Sequence, residues 1–339
     1  MTMKAALLGA VAVMGLAPAA FAERGTDGEV KLTFPQAVSI MNPYLSGGTK
    51  DIYASSMVLE PLAGLDPNGV MVPKLVTEIP TLENGGISAD MTSITWKLLP
   101  DLKWSDGSAV TADDAVFTWQ YCTHPEGGCS QATKFEGVAS VEAVDPSTIK
   151  VTFAAPKANP YTAFVSALSP VLQKAQFEAC LGAAAPTCTD ANNMPVGTGA
   201  FKVTGFTVND TVSMAANENY RDPAKPAFAT AVIKGGGDAE GSARAVMETG
   251  EFDYAWNTQI PPETQASMAA AGKGEFVVAF GTLVERLEMN TTDPDPALPE
   301  GERATVKHPH PILSDIKVRT ALSKAIDRSI LVEVGYGAG

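Results

Sequence analysis

Four cysteines and three histidines are the residues of this 339-residue chain whose chemistry is most easily read from spacing. The cysteines form two close pairs, Cys122 with Cys129 and Cys180 with Cys188, each with glycine or proline between the partners. In an oxidising compartment such pairs close local disulfides. Loops this small would each contribute about 2–3 kcal/mol. Zinc is the alternative, but C-x-x-C spacing is missing and only His124 lies nearby. His308 and His310, each followed by proline, could ligate a metal, although a solvated loop accounts for them more simply. Gly235-Gly236-Gly237 before a helix could cradle an anion. It lacks the G-K-[ST] ending of a nucleotide loop, so a tight turn is the simpler reading. No G-x-S-x-G elbow occurs, and Asp113 and Asp114 read as helix-capping carboxylates rather than an acid–base pair. With no nucleophile, base and oxyanion donor to assemble, the expectation is a chain with no catalytic residue, no metal and no cofactor.

Strand and helix patterns alternate through the chain, which makes the fold class α/β. Glu29–Phe34, Ser93–Leu98, Val138–Val144, Thr148–Phe153, a segment from Phe201, Thr230–Lys234 and Phe252–Trp256 read as strands. Asp145-Pro146 turns one into the next, and Ile149, Val151 and Phe153 share a face. Helices are expected over Asp51–Glu60, from Ala112 with Thr111 and Asp114 at its start, over Ala239–Glu248 and after Pro261-Pro262. A last single helix carries Val318, Ala321, Leu322, Ala325, Ile326 and Ile330 as one apolar stripe, capped by Ser314 or Asp315. The glycine-rich Pro195-Val196-Gly197-Thr198-Gly199 looks like a backbone crossing between lobes.

The first residues bear on compartment. Lys4, an apolar run from Ala5 to Leu16 and Ala20-Phe21-Ala22 have the order of a cleavable secretory signal. The run is short of the roughly 20 residues a membrane-spanning helix needs. Cleavage after Ala22 would leave no cysteine for a lipid anchor, and loss of Lys4 would take the formal charge from −14 to −15. That balance excludes nucleic-acid binding, which needs clustered Lys and Arg. It could draw in cationic ligands, but solubility is the plainer explanation. Hydrophobic content of 45% supports sizeable cores.

One longer motif organises the rest. Leu102-Lys-Trp-Ser-Asp-Gly-Ser-Ala-Val-Thr-Ala-Asp-Asp-Ala-Val-Phe-Thr-Trp119 resembles the signature of family 5 extracellular solute-binding proteins, the peptide and nickel receptors of ABC importers. Leu59-Glu-Pro-Leu-Ala-Gly-Leu65, Val72-Pro-Lys-Leu75, Val196-Gly-Thr-Gly-Ala-Phe-Lys-Val203, Gly250-Glu-Phe-Asp253 and Asp315-Ile-Lys-Val-Arg-Thr-Ala-Leu-Ser-Lys-Ala-Ile-Asp-Arg328 follow in the family's order. Ala200 stands where that family usually has proline.

The resemblance implies a two-lobed periplasmic binding protein of type II with an inserted extra domain, closing on its ligand about a hinge. Residues 1–22 would be the signal peptide, 23–50 and 195–282 a discontinuous first lobe, and 51–194 the insertion. Residues 283–339, from near Leu283, would start a second lobe that is truncated relative to the family. It also implies a periplasmic receptor that binds a peptide, hands it to ABC permease subunits and works as a monomer. Nickel chelates, opines and oligosaccharides are other ligands within the same class, and a secreted hydrolase is the remote alternative. For the ligand, Gly47, Gly48 and Thr49 would offer main-chain groups to an extended peptide, unless they form a simple turn. Trp256 would stack on a side chain unless it is a core residue, and Asn257 would bond a peptide amide.

Overall fold

Leu32 on strand β1 (Glu29–Phe34) lies opposite Ile233 on β9 (Thr230–Gly235), the two strands running parallel. β9 pairs antiparallel with β8 (Thr211–Ala216), and β8 forms a hairpin with β7 (Phe201–Thr207). The side chains on one face, Val212, Met214, Ala231 and Ile233, are buried, as period-two alternation requires. This sheet therefore joins chain from before residue 35 to chain from after residue 200. The computed structural model describes residues 23–278 and 285–336. The expected signal segment and the expected start of a second lobe near Leu283 lie outside those residues. Two compact units are present, one reaching Gly237 and one beginning at Asp238.

Between β1 and β7 the chain builds a separate core that runs from Tyr44 to Ala191. A short hairpin of β2 (Ala63–Leu65) and β3 (Met71–Pro73) and a sheet ordered β4 (Ser93–Lys97), β6 (Thr148–Phe153), β5 (Val138–Asp145) enclose it. Ile149, Val151 and Phe153 all point inward, as expected. Helix α2 (Ala112–Thr123) buries Phe117, Thr118, Tyr121 and Cys122 against this layer, positions one turn apart. Tyr121 meets Phe177 edge-on at 5.9 Å, in the short helix α3 (Lys174–Phe177). Both expected disulfides form, Cys122–Cys129 and Cys180–Cys188, the latter just before α4 (Thr189–Asn193).

Helix α1 (Thr49–Ser55) stops well short of Glu60. Past Ser55 the turn tightens to three-residue bonds, Met57 N donating to Ala54 O at 3.3 Å and Val58 N to Ser55 O at 2.9 Å. The Val58 and Met57 carbonyls turn to the crossing segment and accept from Gly199 N at 2.8 Å and Phe201 N at 3.2 Å. A Cβ at Gly197 would collide with the Val58 carbonyl, so only glycine lets the crossing segment lie this close.

In the second unit, α5 (Ala239–Arg244) runs into a π-helical turn over Ala245–Thr249 and is followed by β10 (Tyr254–Ala255) and α6 (Pro262–Ala269). Ala243, Met247, Ile260 and Met268 are its buried cluster. The strand is shorter than the expected Phe252–Trp256. Phe252 N bonds back to Ala245 O, and Asn257 turns the chain with φ 55°. Of the Gly235–Gly237 run, Gly235 closes β9, where a Cβ would strike Ala37. Gly236 (φ 89°) and Gly237 bend the chain toward Asp238, which caps α5 by accepting from Gly241 N at 2.6 Å.

The single final helix is in fact two, α7 (Ile316–Ala325) and α8 (Arg328–Tyr336). Ile326 takes an extended conformation (ψ 117°), and the Asp327 carboxylate accepts from Ser329 N at 3.0 Å. An aspartate able to cap a new start competes with continuation of the old helix. Asp315 caps α7 as expected, accepting from Lys317 N at 2.8 Å.

Candidate functional site

Gly47, Gly48 and Thr49 sit where a 3-10 turn over Pro43–Leu45 gives way to α1. Asp51, at the third position of that helix and 1% exposed, draws the surrounding chain together. Its Oδ1 accepts from Ser39 N at 2.8 Å, and its Oδ2 accepts from Ser39 Oγ at 2.8 Å and Ser46 Oγ at 2.7 Å. Lys50 Nζ pairs with it at 2.9 Å. Burial would raise this carboxyl; the Lys50, Ser39 and Ser46 donors outweigh it and hold the group below the ordinary carboxylate range. Gly48 serves the helix, its N–H donating to Ser46 Oγ at 3.0 Å and its carbonyl accepting from Asp51 N and Ile52 N. What the segment can present outward is Gly47 and Thr49, both exposed, and a Cβ built on Gly47 would meet only open space. The Thr49 amide belongs to the first turn, whose N–H groups have no partner within the helix.

In the second unit, Trp256 is half-buried and Asn257 exposed, the latter at a positive φ that asparagine tolerates better than most residues. Gln259 and Pro261, just beyond, line a shallow depression of about 530 Å³ with Asp238, Glu240, Gly241 and Arg244. Arg244 is paired at both ends, to Glu240 at 2.8 Å and Glu248 at 2.5 Å. The five expected ligand residues thus fall into two groups, Gly47–Thr49 on the first unit and Trp256–Asn257 on the second. Sequence reading missed Asp51 and the depression beside α5. An aspartate three places after Gly48 was the available signal for Asp51; nothing in residue spacing marks the depression.

The signature segment has a different character. Asp114 is also a third-position helix carboxylate, and it accepts from Thr111 N at 2.9 Å, Lys174 N at 2.9 Å and Trp104 Nε1 at 3.3 Å. Burial pushes its pKa up, and those donors only partly offset the effect. Ser105 N donates to Gly197 O at 2.9 Å, tying the signature to the glycine crossing. Asp106 and Ser108 both accept from Gln173 Nε2, at 2.8 and 2.9 Å. Glu60, in the Leu59–Leu65 motif, takes a two-pronged ion pair from Arg221 at 2.6 and 2.9 Å. These side chains satisfy one another, so the segment acts as a strut.

Residues 71–339 match the profile described as "Bacterial extracellular solute-binding proteins, family 5 Middle". The chain belongs to this family. It is 24% identical over 327 residues to the glutathione-binding protein GsiB of Escherichia coli (strain K12), a match covering 96% of this chain and 56% of that protein. The chain therefore spans little more than half the length of the curated relatives it matches. Among solved structures it is similar to the ABC transporter substrate-binding protein CtaP (Lmo0135) of Listeria monocytogenes, with TM-score 0.69 and 23% identity over 93% of this chain and 57% of the other. It is similar, too, to OppA of Burkholderia pseudomallei, with TM-score 0.66 and 20% identity over 92% and 58%. The fold is that of the type II periplasmic binding proteins. Among the described residues no helix is long and apolar enough to cross a membrane.

Proposed function

We propose that this family 5 chain is the solute-capturing part of an ABC importer, that its ligand is a peptide, and that it works in the periplasm after removal of residues 1–22. The family match over residues 71–339 carries the reading. A relative named for binding glutathione, itself a peptide, gives it a ligand class. In this reading Gly47 and Thr49 give main-chain groups to the peptide, with Gly48 shaping the turn, while Trp256 stacks on a side chain and Asn257 bonds an amide. Main-chain pairing suits a receptor tolerant of sequence, since every peptide carries the same backbone donors and acceptors. Capture and delivery to the permease involve no covalent step, so the chain is read as a binding protein and not an enzyme.

We assign residues 23–50 and 195–282 to one discontinuous lobe, 51–194 to an inserted domain and 283–339 to the start of a second lobe. The sheet built from residues 29–34 and 201–235 supports this division, as does the separate core between them. The boundary between the two compact units, at Gly237, falls inside the first lobe. A second ligand reading, an opine, draws on the fold shared with mannopinic-acid-bound MoaA from A. tumefaciens R10, at TM-score 0.67 and 20% identity.

Titration calorimetry and thermal melts of the full-length protein with trialanine, glutathione and mannopinic acid separate the readings. A peptide present at about 100 times its Kd raises stability by roughly 2.7 kcal/mol. Peptide-dependent melting with no response to mannopinic acid supports the proposal. Response to mannopinic acid and to neither peptide overturns the peptide assignment.

A further inference from the structure

The chain just before Gly47 is held by a set of hydrogen bonds in which the buried Asn42, Gln131 and Asn192 take part. Met41 N donates to Asn192 O at 3.0 Å. The Asn42 side chain, fully buried, donates to Tyr121 Oη at 3.0 Å and Asn192 Oδ1 at 2.9 Å, and accepts from Tyr44 N at 3.1 Å. Ser130 N donates to Tyr44 O at 2.7 Å, and Gln131 Nε2 donates to Ser46 O at 3.0 Å.

These partners share one property: they flank the two disulfides. Tyr121 precedes Cys122, while Ser130 and Gln131 follow Cys129. Asn192 is bound to the other loop at both levels, its backbone N–H donating to Cys188 O at 2.9 Å and its Nδ2 to Ala185 O at 2.8 Å. Both disulfide loops therefore converge on the same six residues of backbone, Met41–Ser46. Gln131, 7% exposed, grips the last carbonyl before Gly47.

We infer that the two disulfide loops are a positioning device. Through Asn192 on one side and Ser130 and Gln131 on the other, they fix the Met41–Ser46 backbone and so hold Gly47 and Thr49 ready for a peptide main chain. The inference rests on the proposed role of Gly47 and Thr49 and adds the residues that orient them. Its physical basis is preorganisation: a segment already held in its bound shape pays less ordering cost when ligand arrives. Gln131 is a positioning residue here, since it reaches the ligand only through Ser46.

Two substitutions in the full-length protein test this, with trialanine as the probe. Gln131→Met keeps length and bulk but removes the donor to Ser46. Gly47→Val fills the open space that a ligand lying along the segment would occupy. The expected result is loss of trialanine binding in Gly47→Val and weakening of up to about tenfold in Gln131→Met, the scale of one buried hydrogen bond. Amide exchange at Gly47–Lys50 should speed up in peptide-free Gln131→Met, with amides of β5 and β6 unchanged. If Gly47→Val abolishes binding while Gln131→Met matches the parent in affinity and exchange, the positioning role is wrong and the proposed function stands. If neither variant alters binding, the role of the glycine segment falls, and the inference with it. A Gln131→Met protein that only melts lower, with local exchange and affinity unchanged, has lost a structural bond and also overturns the inference. Cys122→Ala with Cys129→Ala should reproduce the Gln131→Met exchange pattern at Gly47–Lys50.

Discussion

Asp51 and Asp114 occupy the same local position, third residue of a helix in the first unit, yet their surroundings differ in kind. Asp114 is enclosed by the signature it belongs to and by the start of α3, and its three partners are two backbone amides and an indole. Asp51 gathers two serines and a lysine beside a stretch of exposed main chain. Motif strength and functional exposure thus run in opposite directions. The segment most recognisable in the sequence is a closed structural strut, and the candidate binding segment is an inconspicuous Gly-Gly-Thr. A signature is easy to read when many side chains must fit one another, whereas backbone recognition leaves few side-chain traces.

The sharpest way to break the contrast is to remove each carboxylate. Asp114→Ala strands the Thr111 and Lys174 amides and the Trp104 indole in a buried setting. At about 1–3 kcal/mol for each stranded donor, partly relieved by relaxation, a total loss of roughly 3–5 kcal/mol is expected. Urea unfolding should show it, with the folded fraction binding peptide at parental affinity. A loss below about 1 kcal/mol, within the range of ordinary surface substitutions and single caps, would remove the strut reading.

Asp51→Ala should cost less, about 1–3 kcal/mol, because Lys50 and the serines lie nearer to water. Its distinguishing mark is a drop in trialanine affinity beyond what Asp114→Ala produces. Equal affinity in the two variants would show that the two carboxylates do the same job.

Much of this arrangement was open to sequence reading, and what was not has physical causes. Strands β1, β5, β6 and β9 follow from alternation, and α2 follows from Thr111 and Asp114. Both disulfides follow from short spacing around Gly and Pro. The errors occur where a distant backbone decides the outcome. The reading of α1 through to Glu60 fails because its last turn tightens after Ser55 and the chain there packs on residues 199 and 201, partners that nothing near Met57 and Val58 reveals. The break between α7 and α8 was missed because the apolar stripe continues across it, although Asp327 and Ser329 supply a capping signal in plain view. At the candidate site the glycines were legible, but Gln131 and Asn192, far off in sequence, carry no mark of the grip they exert on residues 41–46.

The two aspartates should also part company with pH, the smallest of these effects. Asp51 titrates below its unfolded value. Its contribution is complete above the ordinary carboxylate range, near pH 4, and is lost as pH falls through the folded-state pKa. Asp114 titrates above its unfolded value. Its contribution is complete below that range and is lost as pH rises through the folded-state pKa, because the buried site favours the protonated acid. Urea unfolding of the parent, Asp51→Asn and Asp114→Asn between pH 3 and 7 therefore yields two difference curves of opposite slope. The advantage of the parent over Asp51→Asn shrinks on acidification, and its advantage over Asp114→Asn grows. Parallel curves would mean that both groups sit in equivalent electrostatic surroundings. The distinction between an ionised anchor beside the glycine segment and a desolvated carboxyl inside the signature would then have to be given up.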